Sequence, residues 1–206
     1  LDEVMSQPQA RLKAIARAGV GVDNIDLDVA TRMGIAVMNS ASASTVNTAE
    51  HAFALMITLA RNVAAAHLSM AGGGWDRNKF VGMQLHGRTL GIVGFGRIGH
   101  TLAQRAIAFG MKVFAYDPLI NADTAMDGAV KLLRSFDELM PLCDFISFHV
   151  PKTDATTNML NRERFAKMKR GAMVVNAARG GIIDEAALVD AIEAGQCGGA
   201  ALDVFD

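Results

Sequence analysis

The chain has little of what marks a secreted, metal-stapled or membrane-spanning protein. Its 206 residues hold two cysteines, Cys143 and Cys197. Neither sits in a C-x-x-C pair or beside histidines, so a disulfide framework and a metal site both lack support. No run of about eighteen uninterrupted apolar residues occurs, which leaves no candidate membrane span. The N-terminal stretch also lacks the basic-then-apolar order of a secretory leader. A formal charge of −1 gives no general attraction to nucleic acid or to an anionic membrane. The basic cluster from Arg162 to Arg170 includes Glu163 and reads as the solvated face of a helix. What remains is the expectation of a cytoplasmic protein. With 51% apolar, 6% aromatic and 20% charged residues, the chain has the makings of a packed core and no sign of disorder.

The most informative stretch is Arg88 to Gly99. A short apolar strand, Leu90 to Val93, runs directly into Gly94-Phe95-Gly96-Arg97-Ile98-Gly99, and a helical pattern follows on Ile98, Leu102, Ala106 and Phe109 until Gly110. In this setting Gly94 permits a tight turn, Gly96 lets backbone approach a pyrophosphate, and Gly99 allows close helix–strand packing. The helix N-terminus presents unpaired N–H groups and a partial positive charge to the anion. A second strand, Met111 to Tyr116, ends in Asp117, placed to accept hydrogen bonds from an adenosine ribose. Asp117 would repel a 2′-phosphate, and Pro118 stands where an arginine could have welcomed one, so NAD is favoured over NADP. Arg97 either reaches the pyrophosphate or is solvated.

At this length one full domain and part of another fit. Residues 2–10 are polar and carry Pro8. A strand over 12–18, the loop Gly19 to Asn24, a short helix near 26–32 and a strand over 35–39 make the tail of a preceding α/β domain. Val20 and Gly21 lie in that loop, whose backbone N–H groups can face an anion. After a small polar linker, a helix of over twenty residues is expected across about 45–70. Its apolar line runs Val46, Ala49, Phe53, Met56, Ala60, Val63 and on to Leu68, with Asn47-x-x-Glu50 as a capping box. It is read as one element bridging two domains, with Trp75 as a large anchor beyond Gly72–Gly74. From Asp117 onward, helices near 136–143, within 156–169 and over 185–194 alternate with strands over 145–150, 173–176 and 199–205. Leu188 and Ile192 are read as the inward face of the last helix. The fold class is α/β, a Rossmann-type doubly wound parallel sheet. The expected domains are 1–44, the tail of a preceding α/β domain that the resemblance given below makes a partial substrate-binding domain, and 45–206, the dinucleotide-binding domain with the bridging helix.

The ordered set of Arg17 to Asn24, Gly94 to Gly99, Asp117, Leu142 to Pro151, Asn176 to Glu185 and Ala200 to Phe205 resembles the D-isomer-specific 2-hydroxyacid dehydrogenases over nearly the whole chain. The resemblance implies a flavodoxin-like substrate domain before the NAD domain. It makes Arg179 the catalytic arginine that holds a substrate carboxylate and polarises its C2 oxygen, a task suited to a planar fork of donors. It also implies that Val20 and Gly21 bind the carboxylate through N–H groups and that Arg17 meets a substrate phosphate. Ile98, Val150, Ala177, Ala178 and Asp203 match cofactor-lining positions, with Asp203 near the nicotinamide, although Val150 could equally be core.

Through Gly74 to Gly82 the resemblance points to oxidation of D-3-phosphoglycerate to 3-phosphohydroxypyruvate with NAD, opening serine synthesis. Other D-2-hydroxy acids, glycerate or lactate, and a non-catalytic NAD-sensing corepressor remain as alternatives. The family's acid–base Glu and His come after the Asp-Val-Phe strand, beyond Asp206, and none of His51, His67, His86, His100 and His149 is read as a replacement. The 206 residues are therefore expected to be a piece of a longer polypeptide that binds NAD and turns over poorly, and the family implies a homodimer or homotetramer formed through the long helix.

Overall fold

The computed structural model describes residues 12–206, and the chain divides into two compact units, Leu1–Asn47 and Thr48–Asp206. The polar stretch with Pro8 lies outside the described residues. In the first unit, β1 (Ala14–Arg17) and β2 (Ala36–Asn39) pair in parallel, Ala14 opposite Ala36. Between them runs α1 (Leu27–Arg32), started by Asp26, whose Oδ1 accepts from the Val29 N–H at 2.8 Å. Val29, Ala30 and Ile35 form its small buried cluster, with Ile15 and Val37 packed against it.

The second unit is organised by one seven-stranded sheet. Its strands are β3 (Thr89–Val93), β4 (Lys112–Tyr116), β5 (Thr124–Ala125), β6 (Val130–Leu132), β7 (Phe145–Phe148), β8 (Ala172–Asn176) and β9 (Cys197–Leu202). They lie in the order β5-β6-β4-β3-β7-β8-β9, parallel except for the edge pair β5–β6. Without that edge strand this is the doubly wound order, reversing between β3 and β7. The reversal explains why β3 is buried along four of its five residues and β7 along all four.

Helices cover both faces. Leu90, Ile92, Phe145 and Val175 share a buried cluster with Ala49, Phe53 and Met56 of α2 (Thr45–Ala60) and with Leu102 and Ala106 of α4 (Arg97–Ala108). Val93, Ile146, Phe148 and Val174 pack in a second cluster with Phe136 of α5 (Phe136–Leu139), Phe165 of α6 (Arg162–Lys167) and Leu188 of α7 (Glu185–Glu193). Each fully buried Leu, Ile or Phe contributes about 1.5–3 kcal/mol. These clusters hold the loop-bearing ends of the strands in place.

Several expectations change. The long helix over 45–70 is two helices, α2 and α3 (Val63–Ala71), bent by 65°. Asn62 at the break has φ 54°, a left-handed conformation that no α-helix continues through. Ala49, Phe53, Met56 and Ala60 are buried as the apolar line requires, but Val46, Val63 and Leu68 are exposed, and α3 buries no residue. Because α2 starts at Thr45, Asn47 lies inside the helix and cannot serve as its cap. Trp75 is 70% exposed and anchors nothing within the described residues, and Ile192 is exposed while Leu188 is buried. The antiparallel hairpin β5–β6 has no counterpart in the expected elements. Its turn carries positive φ at Met126, Asp127 and Gly128, the kind of turn that a Asp-Gly pair favours. Among the described residues no single helix is long and apolar enough to cross a membrane. Both cysteines are buried and free, and burial pushes the Cys143 thiol up to about 12.

Candidate functional site

Because β4, β3, β7, β8 and β9 are parallel, all of their C-terminal ends lie along one edge of the sheet. That edge is where doubly wound folds hold ligands. The turn Gly94–Gly99 follows β3, Asp117 follows β4, Val150 follows β7 by two residues, Ala177 to Arg179 follow β8, and Asp203 follows β9. Arg17, Val20 and Gly21 belong to the other unit, at and just after the end of β1.

The turn is shaped by contacts that exclude side chains. Gly94 has φ +91°, and a Cβ there would stand 2.5 Å from the His149 carbonyl oxygen. A Cβ at Gly99 would stand 2.3 Å from the Gly94 carbonyl oxygen, so the helix start touches the turn backbone to backbone. Gly96 differs from both, since a Cβ there meets nothing within 4 Å. The space in front of it is open, as a pyrophosphate would need. Gly96 is also the N-cap of α4 and brings no side chain to cap it, so the first N–H groups of this twelve-residue helix are offered to an anion. The residues present therefore fit a dinucleotide. Arg97 is the first residue of α4 and exposed, while Ile98 is partly buried against the first core cluster.

Asp117 closes the far side of this turn. Its Oδ2 accepts from the Phe95 N–H at 2.9 Å and its Oδ1 from the Leu119 N–H at 2.9 Å. A carboxylate oxygen has two lone pairs, so each retains one for a ribose hydroxyl. At the end of β7, His149 bonds back through its N–H to the Val93 carbonyl at 2.7 Å. Its Nε2 lies 2.8 Å from Ser147 Oγ, and its buried Nδ1 has no hydrogen-bond partner. Desolvation lowers its pKa to about 4, so the ring is neutral near pH 7. Val150 is partly buried against the second core cluster.

The loop after β8 is built by Asn176, which is 2% exposed. Its Nδ2 donates to the Arg179 carbonyl at 2.8 Å and its Oδ1 accepts from the Ala178 N–H at 3.0 Å. The Arg179 guanidinium donates through Nη1 to the Ala178 carbonyl at 2.6 Å. The Asp203 N–H donates to the Asn176 carbonyl at 2.9 Å, joining the ends of β8 and β9. In the other unit Asn39, the last residue of β2, donates to the Val20 carbonyl at 2.7 Å, and the Ser40 N–H bonds the Arg17 and Gly19 carbonyls at 3.2 Å each. Neither asparagine was singled out from the sequence. The signal was an Asn, a poor strand former that favours local backbone bonds, closing an apolar run. A third unforeseen feature is the pair His51 Nε2–Asp203 Oδ1 at 3.1 Å, with both side chains 49% exposed. Among the described residues no group of three or more His, Cys, Asp or Glu could hold a metal ion.

Residues 53–206 match the model of the D-isomer specific 2-hydroxyacid dehydrogenase, NAD binding domain; the chain belongs to this family and carries its NAD-binding domain. It is 50% identical over 195 residues to the D-3-phosphoglycerate dehydrogenase of Rattus norvegicus, covering 95% of this chain and 36% of that protein. To the enzyme of the same name from Archaeoglobus fulgidus it is 48% identical over 206 residues, covering 100% of this chain and 39% of that protein. The chain thus spans well under half the length of these relatives. Among solved structures it resembles a D-lactate dehydrogenase from Aquifex aeolicus complexed with NAD and lactic acid. The TM-score is 0.85 and the identity 37%, covering 95% of this chain and 59% of that one.

Proposed function

We propose that the protein to which this chain belongs oxidises D-3-phosphoglycerate to 3-phosphohydroxypyruvate with NAD, opening serine synthesis. The observation that carries the reading is the Asn176-held loop, which presents Arg179 on the same sheet edge as the uncapped glycine turn and Asp117. The names of the two relatives favour the phosphorylated substrate. NAD, when bound, supplies the acceptor for the hydride that leaves C2 of the hydroxy acid.

The chain's own residues do the rest. Gly94, Gly96, Gly99 and Arg97 hold the pyrophosphate, Asp117 holds the adenosine ribose, and Ile98, Val150, Ala177, Ala178 and Asp203 line the cofactor. Arg179 binds the substrate carboxylate and polarises the C2 oxygen as charge changes there. Val20 and Gly21, through their N–H groups, and Arg17, toward a phosphate, are the substrate-binding residues of the other unit. Residues 1–44 belong to the substrate-binding domain and 45–206 to the NAD domain. The acid–base step falls to the Glu and His that the family carries later in its sequence, so these 206 residues alone bind NAD and turn over slowly. Exposed Val63, Leu68 and Met70 on α3 suit burial between copies in a homodimer or homotetramer, and the setting is cytoplasmic.

The test is steady-state kinetics of the full-length protein with D-3-phosphoglycerate, D-glycerate and D-lactate. Arg17→Ala is expected to raise KM for the phosphorylated substrate by roughly tenfold or more, the worth of a charge-assisted hydrogen bond, and to leave D-glycerate nearly unchanged. Arg179→Gln is expected to lower kcat/KM for every substrate by roughly 100-fold or more. A preference for D-lactate with no response to Arg17→Ala would overturn the substrate assignment.

A further inference from the structure

Asp203 follows β9, four strands along the edge from β4 and its Asp117. At about 4.8 Å per strand, the ends of β4 and β9 stand roughly 19 Å apart along the sheet edge. A dinucleotide whose ribose sits on Asp117 and whose pyrophosphate sits on the glycine turn after β3 must send its other half over β7, β8 and β9. Asp203 is the first carboxylate after β9; the next, Asp206, is paired with Lys152 at 2.6 Å, and Glu185 accepts from the Asp206 N–H at 2.9 Å. Its backbone is fixed by the N–H bond to Asn176, but this leaves its side chain to rotate. The side chain is held by His51, nearly two turns into α2. Around it on α2, Ala49, Ala52 and Phe53 are buried in the core, so the backbone carrying His51 is anchored while its ring stays half exposed. Glu50, the neighbouring acid, is occupied by Arg105 at 2.8 Å. An ionised Asp203 can only accept, so His51 Nε2 carries the proton between them.

We infer that His51 is a positioning residue: it fixes the Asp203 carboxylate on the sheet edge so that its second oxygen faces the nicotinamide half of the cofactor. This rests on the NAD-binding reading above. A solvated ion pair would contribute little to stability and nothing to ligand choice. A positioning pair instead shows itself in the ligand, and only in the half that Asp203 meets.

The experiment is calorimetric titration of NAD and of ADP-ribose, which lacks the nicotinamide, into the wild-type chain, His51→Ala, His51→Gln, Asp203→Ala and the double variant His51→Ala/Asp203→Ala, with melting curves for each. The wild type binds both ligands. His51→Ala weakens NAD about three- to tenfold, the worth of one hydrogen bond, and leaves ADP-ribose and the melting temperature within error. His51→Gln, whose amide can donate to the same oxygen, recovers most of the loss. In the Asp203→Ala background, His51→Ala has no further effect. Unchanged NAD affinity in His51→Ala, equal weakening of ADP-ribose, or the same loss with Asp203 already removed would each overturn the inference while leaving the NAD site standing. Failure of the folded wild type to bind either ligand would overturn the NAD reading and this inference with it.

Discussion

Asp117 and Gly94 show how much of the candidate site rests on single residues. Gly94 is constrained twice, by φ +91° and by the His149 carbonyl 2.5 Å from any Cβ. Gly94→Ala is expected to destabilise the chain by about 2 kcal/mol or more, read as a lowered denaturant midpoint, and to abolish nucleotide binding. His149 gives a pH dependence with a definite sign. Its folded pKa is depressed to about 4 from an ordinary 6.5. As pH falls through 6.5 the unfolded chain takes up a proton that the folded ring refuses, so stability declines, and the loss is complete below about 4. A shift of this size is worth up to about 3 kcal/mol. Denaturant melts between those pH values are expected to show the decline, and His149→Gln to flatten it. Asp137, held below its ordinary value chiefly by the Lys167 hydrogen bond, adds its own loss only at lower pH. The glycines and Asp117 were legible because their chemistry is local, a turn followed by a helix and an acid at a strand end. Asn39, Asn176 and the His51–Asp203 pair were not, because each acts through a partner that only the fold brings near.

At the scale of elements, the period of the apolar residues placed the helices well and their ends less well. From Ala49 through Ala60 the line read from the sequence is buried in α2, while Val46 at its start is exposed. The same line gave no warning of the break, because Asn62 adopts a left-handed conformation that apolar spacing does not encode. Asn tolerates that conformation better than most residues. Asn62→Ala is therefore expected to cost about 1 kcal/mol and Asn62→Gly close to nothing, as measured by thermal melts of each variant. The hairpin β5–β6 was missed for a different reason. Two- and three-residue strands are too short to show alternation, and only the Asp-Gly pair in the turn carried a signal.

At the scale of the molecule, five parallel strands bring loops far apart in sequence to one edge. This is why the β-strand ends, rather than any single motif, define the candidate site. The alternation of helices and strands implied a doubly wound parallel sheet, and residues 53–206 belong to a family of NAD-binding domains. Cofactor choice rests most directly on Asp117, whose two oxygens are positioned by the Phe95 and Leu119 amides. The decisive measurement is titration of NAD and NADP into the chain and into Asp117→Ala. The prediction is that NAD binds, that NADP binds far more weakly, and that the variant loses roughly tenfold or more of its NAD affinity together with the preference. Equal binding of the two nucleotides by the wild type, or a folded Asp117→Ala that discriminates as before, would contradict it.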